Sequence, residues 1–232
     1  MIPIKDSNPT ERFPIVTVLL IAVNVAVSLY QMTLGEGREE AFLKAFALVP
    51  ARLLSGDPGF AGPVPAGMTV VTSMFLHGGP LHLVGNMLYL WIFGNNVEDA
   101  MGRVRFIVFY LLCGIAAAMS HALPFPGSEV PMIGASGAVS GVLGAYLLLY
   151  PRARVMTLFI LGFFVRMIEI PAMVVLGFWF VLQFLNALST PGTGGGVAWF
   201  AHLGGFVAGI ALIGLFKRHN VPFGGGRRSR SV

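Results

Sequence analysis

Six long stretches of this sequence carry no charged residue and are built mainly from apolar ones: Phe13–Met32, Pro80–Val97, Phe106–Leu123, Gly134–Tyr150, Ile170–Leu188 and Ala198–Phe216. A hydrocarbon core about 30 Å thick needs roughly 20 such residues per helix. Backbone groups in lipid must find partners inside the segment, which selects helices, and no alternating pattern of barrel strands runs through the chain. The expected architecture is an all-α polytopic bundle of six transmembrane helices with the lipid bilayer as its solvent. Composition agrees: 56% of the 232 residues are hydrophobic and 11% are charged, against about 25% charged in a typical globular domain. So few charges cannot cover a water-exposed surface, which excludes a soluble enzyme and a disordered chain. The 15 Lys and Arg residues are not gathered in one strip, so no nucleic acid partner is expected. The single cysteine, Cys113, excludes an internal disulfide and any multi-cysteine metal site.

Six spans put both chain ends on one side. Twelve of the 15 basic residues fall on that side, and only Arg38, Lys44 and Arg52 on the other. The positive-inside rule then predicts cytoplasmic termini. Gln31-Met32-Thr33 is not a small-x-small cleavage site, and no transit peptide is evident, so a prokaryotic plasma (inner) membrane is expected. Residues 1–12 read as a short cytoplasmic segment and Lys217–Val232 as a basic, disordered tail. Thr33–Gly67 forms a long outer loop in which Ala41–Leu54 reads as an amphipathic piece against the membrane. Val155–Ile168 is apolar but bracketed by Arg152, Arg154, Arg166 and Glu169, and reads as an interfacial or re-entrant approach to the fifth helix.

Polar side chains inside spans are costly and point to function. His82, Asn86, Ser136 and His202 stand out. The second, fourth and sixth helices enter from the outer face, and these residues fall within about 10 Å of that face at 1.5 Å per residue. Asn86 lies one turn below His82 on the same helix face. Serine with histidine is a nucleophile-and-base pair. His82, Asn86 and the Ser136 backbone N–H are donors suited to a developing oxyanion. No carboxylate lies in these spans, so the reading is a Ser/His dyad. Zinc on His77, His82 and His202 is the competing reading; it lacks a His-Glu-x-x-His motif and any Cys or Asp companion, so no metal and no cofactor is expected. Gly137/Gly141 and Gly205/Gly209 show the small-x-x-x-small spacing that lets helices approach closely. If those faces meet, Ser136 and His202 meet with them.

These motifs together resemble the rhomboid family of intramembrane serine proteases. Gly134-Ala135-Ser136-Gly137 looks like the family's G-x-S-G motif, and Ala201-His202-Leu203-Gly204-Gly205 with Gly209 like its last-helix motif. His77, His82 and Asn86 match its second-helix pattern, and Glu98, Gly102, Arg105 and Phe106 its E-x-x-x-G-x-x-R-F turn. The resemblance implies a six-helix core over residues 13–216, with Ser136 as nucleophile and His202 as general base and acid. It implies an oxyanion hole from His82 and Asn86, with His77 supporting local structure and Glu98, Gly102 and Arg105 pinning the cytoplasmic turn. The substrates would be transmembrane proteins cut near the outer face, admitted by a tilt of the fifth helix with Phe178, Trp179, Phe180 and Phe184. Many members carry an aromatic four residues after the nucleophile to hold the base; this chain has Ser140 there. Two other readings stand beside this one: an inactive relative that binds or escorts membrane helices, and a small transporter using His82, Asn86 and His202 as a polar path.

Overall fold

The computed structural model describes residues 1–55, 63–162, 164–189 and 198–225. Helix α1 (Ile15–Met32) crosses first. The outer loop holds α2 (Glu36–Phe46), α3 (Pro50–Leu54) and α4 (Ala66–Thr72). Helix α5 (Pro80–Tyr89), a π-helical turn (Leu90–Gly94) and α6 (Asn95–Met101) follow without a break. The second span therefore continues past Val97 to Met101. Then come α7 (Arg103–Ala122), α8 (Ser136–Leu149), α9 (Ala172–Ser189) and α10 (Trp199–Phe216). The bundle is helical, as expected. At 14 residues, α8 is about 21 Å long, well short of a hydrocarbon core. Its neighbours α7 and α10 have 20 and 18 residues.

Helix α1 is polar inside and apolar outside. It buries Thr17, Leu20, Asn24, Ser28 and Gln31 and exposes Leu19, Val23, Leu29 and Tyr30. Helix α9 likewise exposes Val174, Phe178, Val181, Leu185 and Leu188. Water would penalise such surfaces heavily, whereas lipid tails do not.

Close packing of α8 on α10 forms the centre of the bundle. A methyl group at Gly205 would fall on the Gly137 carbonyl oxygen, one at Gly209 on the Gly141 carbonyl, and one at Gly144 on the Phe206 carbonyl. Only hydrogen at these positions lets the two backbones touch. Phe93, Phe106, Phe109, Tyr110, Leu143, Tyr146 and Leu176 fill the space around them and are fully buried.

Three short strands close the end of the bundle opposite Ser136. Strands β2 (Arg154–Leu161) and β3 (Phe164–Pro171) form an antiparallel hairpin, and β1 (Ile2–Asp6) pairs antiparallel with β2. The segment expected as an interfacial or re-entrant approach is thus a hairpin. Gly162 supplies its turn with φ +57°, and Val, Ile, Thr and Phe favour the pleat. Its strands lie inside one apolar run, where periodicity cannot separate strand from buried helix. The tail is also structured at first: Arg218 N–H donates to Ala100 O, Gly224 N–H donates to Leu148 O, and Val221 is buried. The rest of the expected disordered tail, 226–232, lies outside the described residues.

Buried polar groups tie this end together. The Glu98 carboxylate accepts from Val16 N–H (3.0 Å), Thr17 N–H (2.8 Å) and Thr17 Oγ1–H (2.8 Å). It caps α1 from across the fold, supplying the partners that a first helical turn lacks and complementing its positive dipole end. Asp6 accepts from Tyr146 Oη–H at 2.6 Å and Asn96 Nδ2–H at 2.8 Å, and burial pushes its carboxyl up to about 6. An acid whose pKa is higher in the fold than in the unfolded chain stabilises the fold only while protonated. Its contribution is complete below an unfolded value of about 4 and is lost as pH rises through about 6. Asp6→Asn should therefore gain stability relative to the wild type as pH is raised from 4 to 7, read as the difference in thermal unfolding midpoint. Gly209→Leu, which drives a side chain into the Gly141 backbone, should lower stability by about 1–3 kcal/mol or more, measured in the same assay.

Candidate active site

Ser136 opens α8, so its side chain sits at the end of the short helix and its N–H belongs to the first, unpaired turn. His202 lies in the first turn of α10, buried, on the face that meets α8. The glycine contacts described above set their separation. Ser136 Oγ and His202 Nε2 are 2.8 Å apart. A hydroxyl donating to Nε2 requires the ring proton on Nδ1, and Nδ1 lies 2.6 Å from Gln183 Oε1 of α9. The Trp179 ring lies 6.0 Å from that of His202, inclined at 34°, and the Trp199 ring meets it edge-on at 6.0 Å. Ser140, where an aromatic was the alternative, instead donates its hydroxyl to Ser136 O at 2.6 Å. Apart from the Ser136 hydroxyl, the imidazole is held from α9 and from its own helix rather than from α8.

His82 and Asn86 line the same cavity, of about 900 Å³, as Ser136 and His202. Gly78 N–H donates to His82 Nδ1 at 3.3 Å, which leaves the ring proton on Nε2. That edge lies against Gly134: a methyl there would stand 2.8 Å from both Nε2 and Cε1. Gly134 also has φ +119°, so it is glycine for two separate reasons. Asn86 is buried and its Nδ2 has no partner among the described residues. A buried amide donor without an acceptor is costly, and it is relieved by any anion or carbonyl entering the cavity. A hydroxyl bonded to an imidazole, beside two uncommitted N–H donors, is able to carry out acyl transfer.

Of the remaining motif residues, Gly137 also lines this cavity, and the others lie apart from it or behind it. His77 faces α1: Nδ1 is 3.1 Å from Ser28 Oγ, its carbonyl accepts from Gln31 Nε2–H at 2.8 Å, and its ring packs edge-on against His82 at 5.1 Å. Glu98 caps α1 at the far end. Gly102 has φ +87° and joins α6 to α7, with the Arg218 guanidinium beside it. Arg105 Nη1 donates to Lys217 O at 3.4 Å, just past the end of α10. Gly137, Gly205 and Gly209 are the helix contacts already described.

The rhomboid domain matches residues 66–219, about two thirds of the chain. This chain belongs to the rhomboid family. It is an integral membrane protein. It is 36% identical over 143 residues to rhomboid protease GluP of Bacillus subtilis, covering 62% of this chain and 25% of that protein. It is 31% identical over 157 residues to the mitochondrial rhomboid protein 1 of Saccharomyces cerevisiae, covering 63% and 41%. To rhomboid protease AarA of Providencia stuartii it is 29% identical over 145 residues, covering 56% and 48%. The matched region is thus less than half the length of each of these relatives.

Gln183 and Trp199 carry no motif in the sequence of this rhomboid, and Trp179, expected on a tilting fifth helix, packs against the His202 ring. Gln183 is the only amide on the buried stripe of α9, among Ala172, Val175, Leu176 and Ala187, which is a signal that was available. Gly134→Ala should displace the His82 ring and strain the backbone. A loss of about 1–3 kcal/mol is expected in thermal unfolding, together with a shifted His82 imidazole resonance.

Proposed function

We propose that this rhomboid is an intramembrane serine endopeptidase acting through Ser136 and His202. The observation that carries the reading is the 2.8 Å contact between Ser136 Oγ and His202 Nε2 at the wall of a large cavity. Ser136 Oγ attacks the carbonyl carbon of the scissile peptide as its proton passes to His202 Nε2. The oxyanion is met by His82 Nε2–H, Asn86 Nδ2–H and the Ser136 N–H. Collapse breaks the C–N bond, and His202 returns the proton to the leaving amine. Water, deprotonated by the same imidazole, then releases the acyl group and restores Ser136.

The short α8 supports a site reached by water from one face. With α8 about 21 Å long among longer helices, the membrane is not filled at the Ser136 end. The bias of basic residues toward the opposite end supports cytoplasmic termini and a site near the outer face. The substrates are transmembrane proteins, because a site below the membrane surface faces segments lying in lipid. The protease-named relatives GluP and AarA support the same reading.

A fluorophosphonate probe tests it on purified protein in mild detergent. The wild type should be labelled and both Ser136→Ala and His202→Ala should not. Folded wild-type protein that resists the probe would favour the helix-binding relative instead. His82→Ala and Asn86→Ala should each lower kcat on a membrane substrate about 10²–10³-fold, with smaller changes in KM.

A further inference from the structure

We infer that Gln183 is the positioning residue of the reactive pair, taking with a neutral amide the place that a carboxylate holds in a serine triad; this rests on the reading of Ser136 and His202 given above. Four observations carry it. Gln183 is 7% exposed and sits on α9, where it is the only amide on the buried face. Its Oε1 lies 2.6 Å from His202 Nδ1. The opposite ring nitrogen faces Ser136 Oγ. Trp179, one turn earlier on α9, packs against the same imidazole and against Phe206.

The proton inventory makes the amide specific. His202 accepts the serine proton at Nε2 only if Nδ1 already carries its own. An oxygen at Nδ1 selects that tautomer, and Gln183 presents one. When Nε2 takes up the serine proton the ring becomes a cation, and the Nδ1–H···Oε1 bond becomes charge-assisted and stronger. The amide thereby favours the charged ring without itself carrying charge. A carboxylate here would leave an ionised group within a membrane span whenever the ring is neutral, which is costly. The link also joins two helices: α9 cannot leave α10 without releasing the ring, so the pair is aligned only while α9 is seated.

Gln183→Met removes the acceptor at nearly constant volume, and Gln183→Glu keeps an oxygen at the same reach. On a membrane substrate, Gln183→Met should lower kcat by about 10–10²-fold with KM within twofold, since the orienting group acts on the chemistry and not on binding. Fluorophosphonate labelling should slow by the same factor, and Gln183→Glu should recover most of both. Unfolding midpoints measured alongside show that each variant is folded. ¹⁵N spectra of the His202 imidazole read the tautomer directly, with no activity required. The wild type should show the Nδ1–H form and Gln183→Met a mixture. Wild-type kcat in Gln183→Met, or an Nε2–H imidazole in the wild type, would overturn the inference. A wild type that the probe does not label would count against the protease reading alone, and the spectra would still decide the role of Gln183.

Discussion

Two helices touch through hydrogen atoms where any other side chain would hold them apart. The Gly205–Gly137 and Gly209–Gly141 approaches fix the axial register and the spacing of α8 and α10 together. The serine and the imidazole lie in the first turns of those helices, so their separation follows from the backbone contact below them. The reactive geometry is thus inherited from a scaffold contact that contains no reactive atom. Association of helices in lipid draws little from the hydrophobic effect, so this steric fit matters more here than in a soluble core.

The protein places its polar groups by depth. The buried carboxylates among the described residues lie at the sheet end, where Glu98 is satisfied by N–H groups of α1 and Asp6 by a phenol and an amide. Deeper in the bundle the polar partners are neutral: Ser28 with His77 and Gln183 with His202. Charge is kept where water or a helix dipole supports it, and hydrogen bonding alone is used where the dielectric is low. A site assembled under that rule lacks the buried acid found in soluble serine hydrolases.

Much of this was legible in the residues. The uncharged runs marked every span to within a few residues, because the bilayer imposes a length that composition records. Glycine spacing pointed to the α8–α10 contact, since a missing side chain is itself a packing instruction. What the sequence withheld depended on which way helices face. Gln183 is one of two amides, with Asn186, in an 18-residue helix, and only its orientation toward α10 distinguishes it. Asn24 and Gln31 escaped notice for the same reason. The hairpin of β2 and β3 escaped because an apolar run bounded by arginines reads alike as strand or as interfacial helix. The reach of Glu98 across 81 residues to Thr17 has no local signature at all.

That long reach bears on how the molecule is built. Helix α1 precedes in the chain the carboxylate that caps it, at Glu98, and β1 precedes by far the strand that pairs with it, which begins only at Arg154. During synthesis α1 therefore waits uncapped over the 81 residues from Thr17 to Glu98, and β1 waits unpaired longer still, until β2 is made. Such non-local closures are slow and expose their elements meanwhile. Membrane insertion of α1 and completion of its fold are thus separate events, with the second timed by arrival of the hairpin.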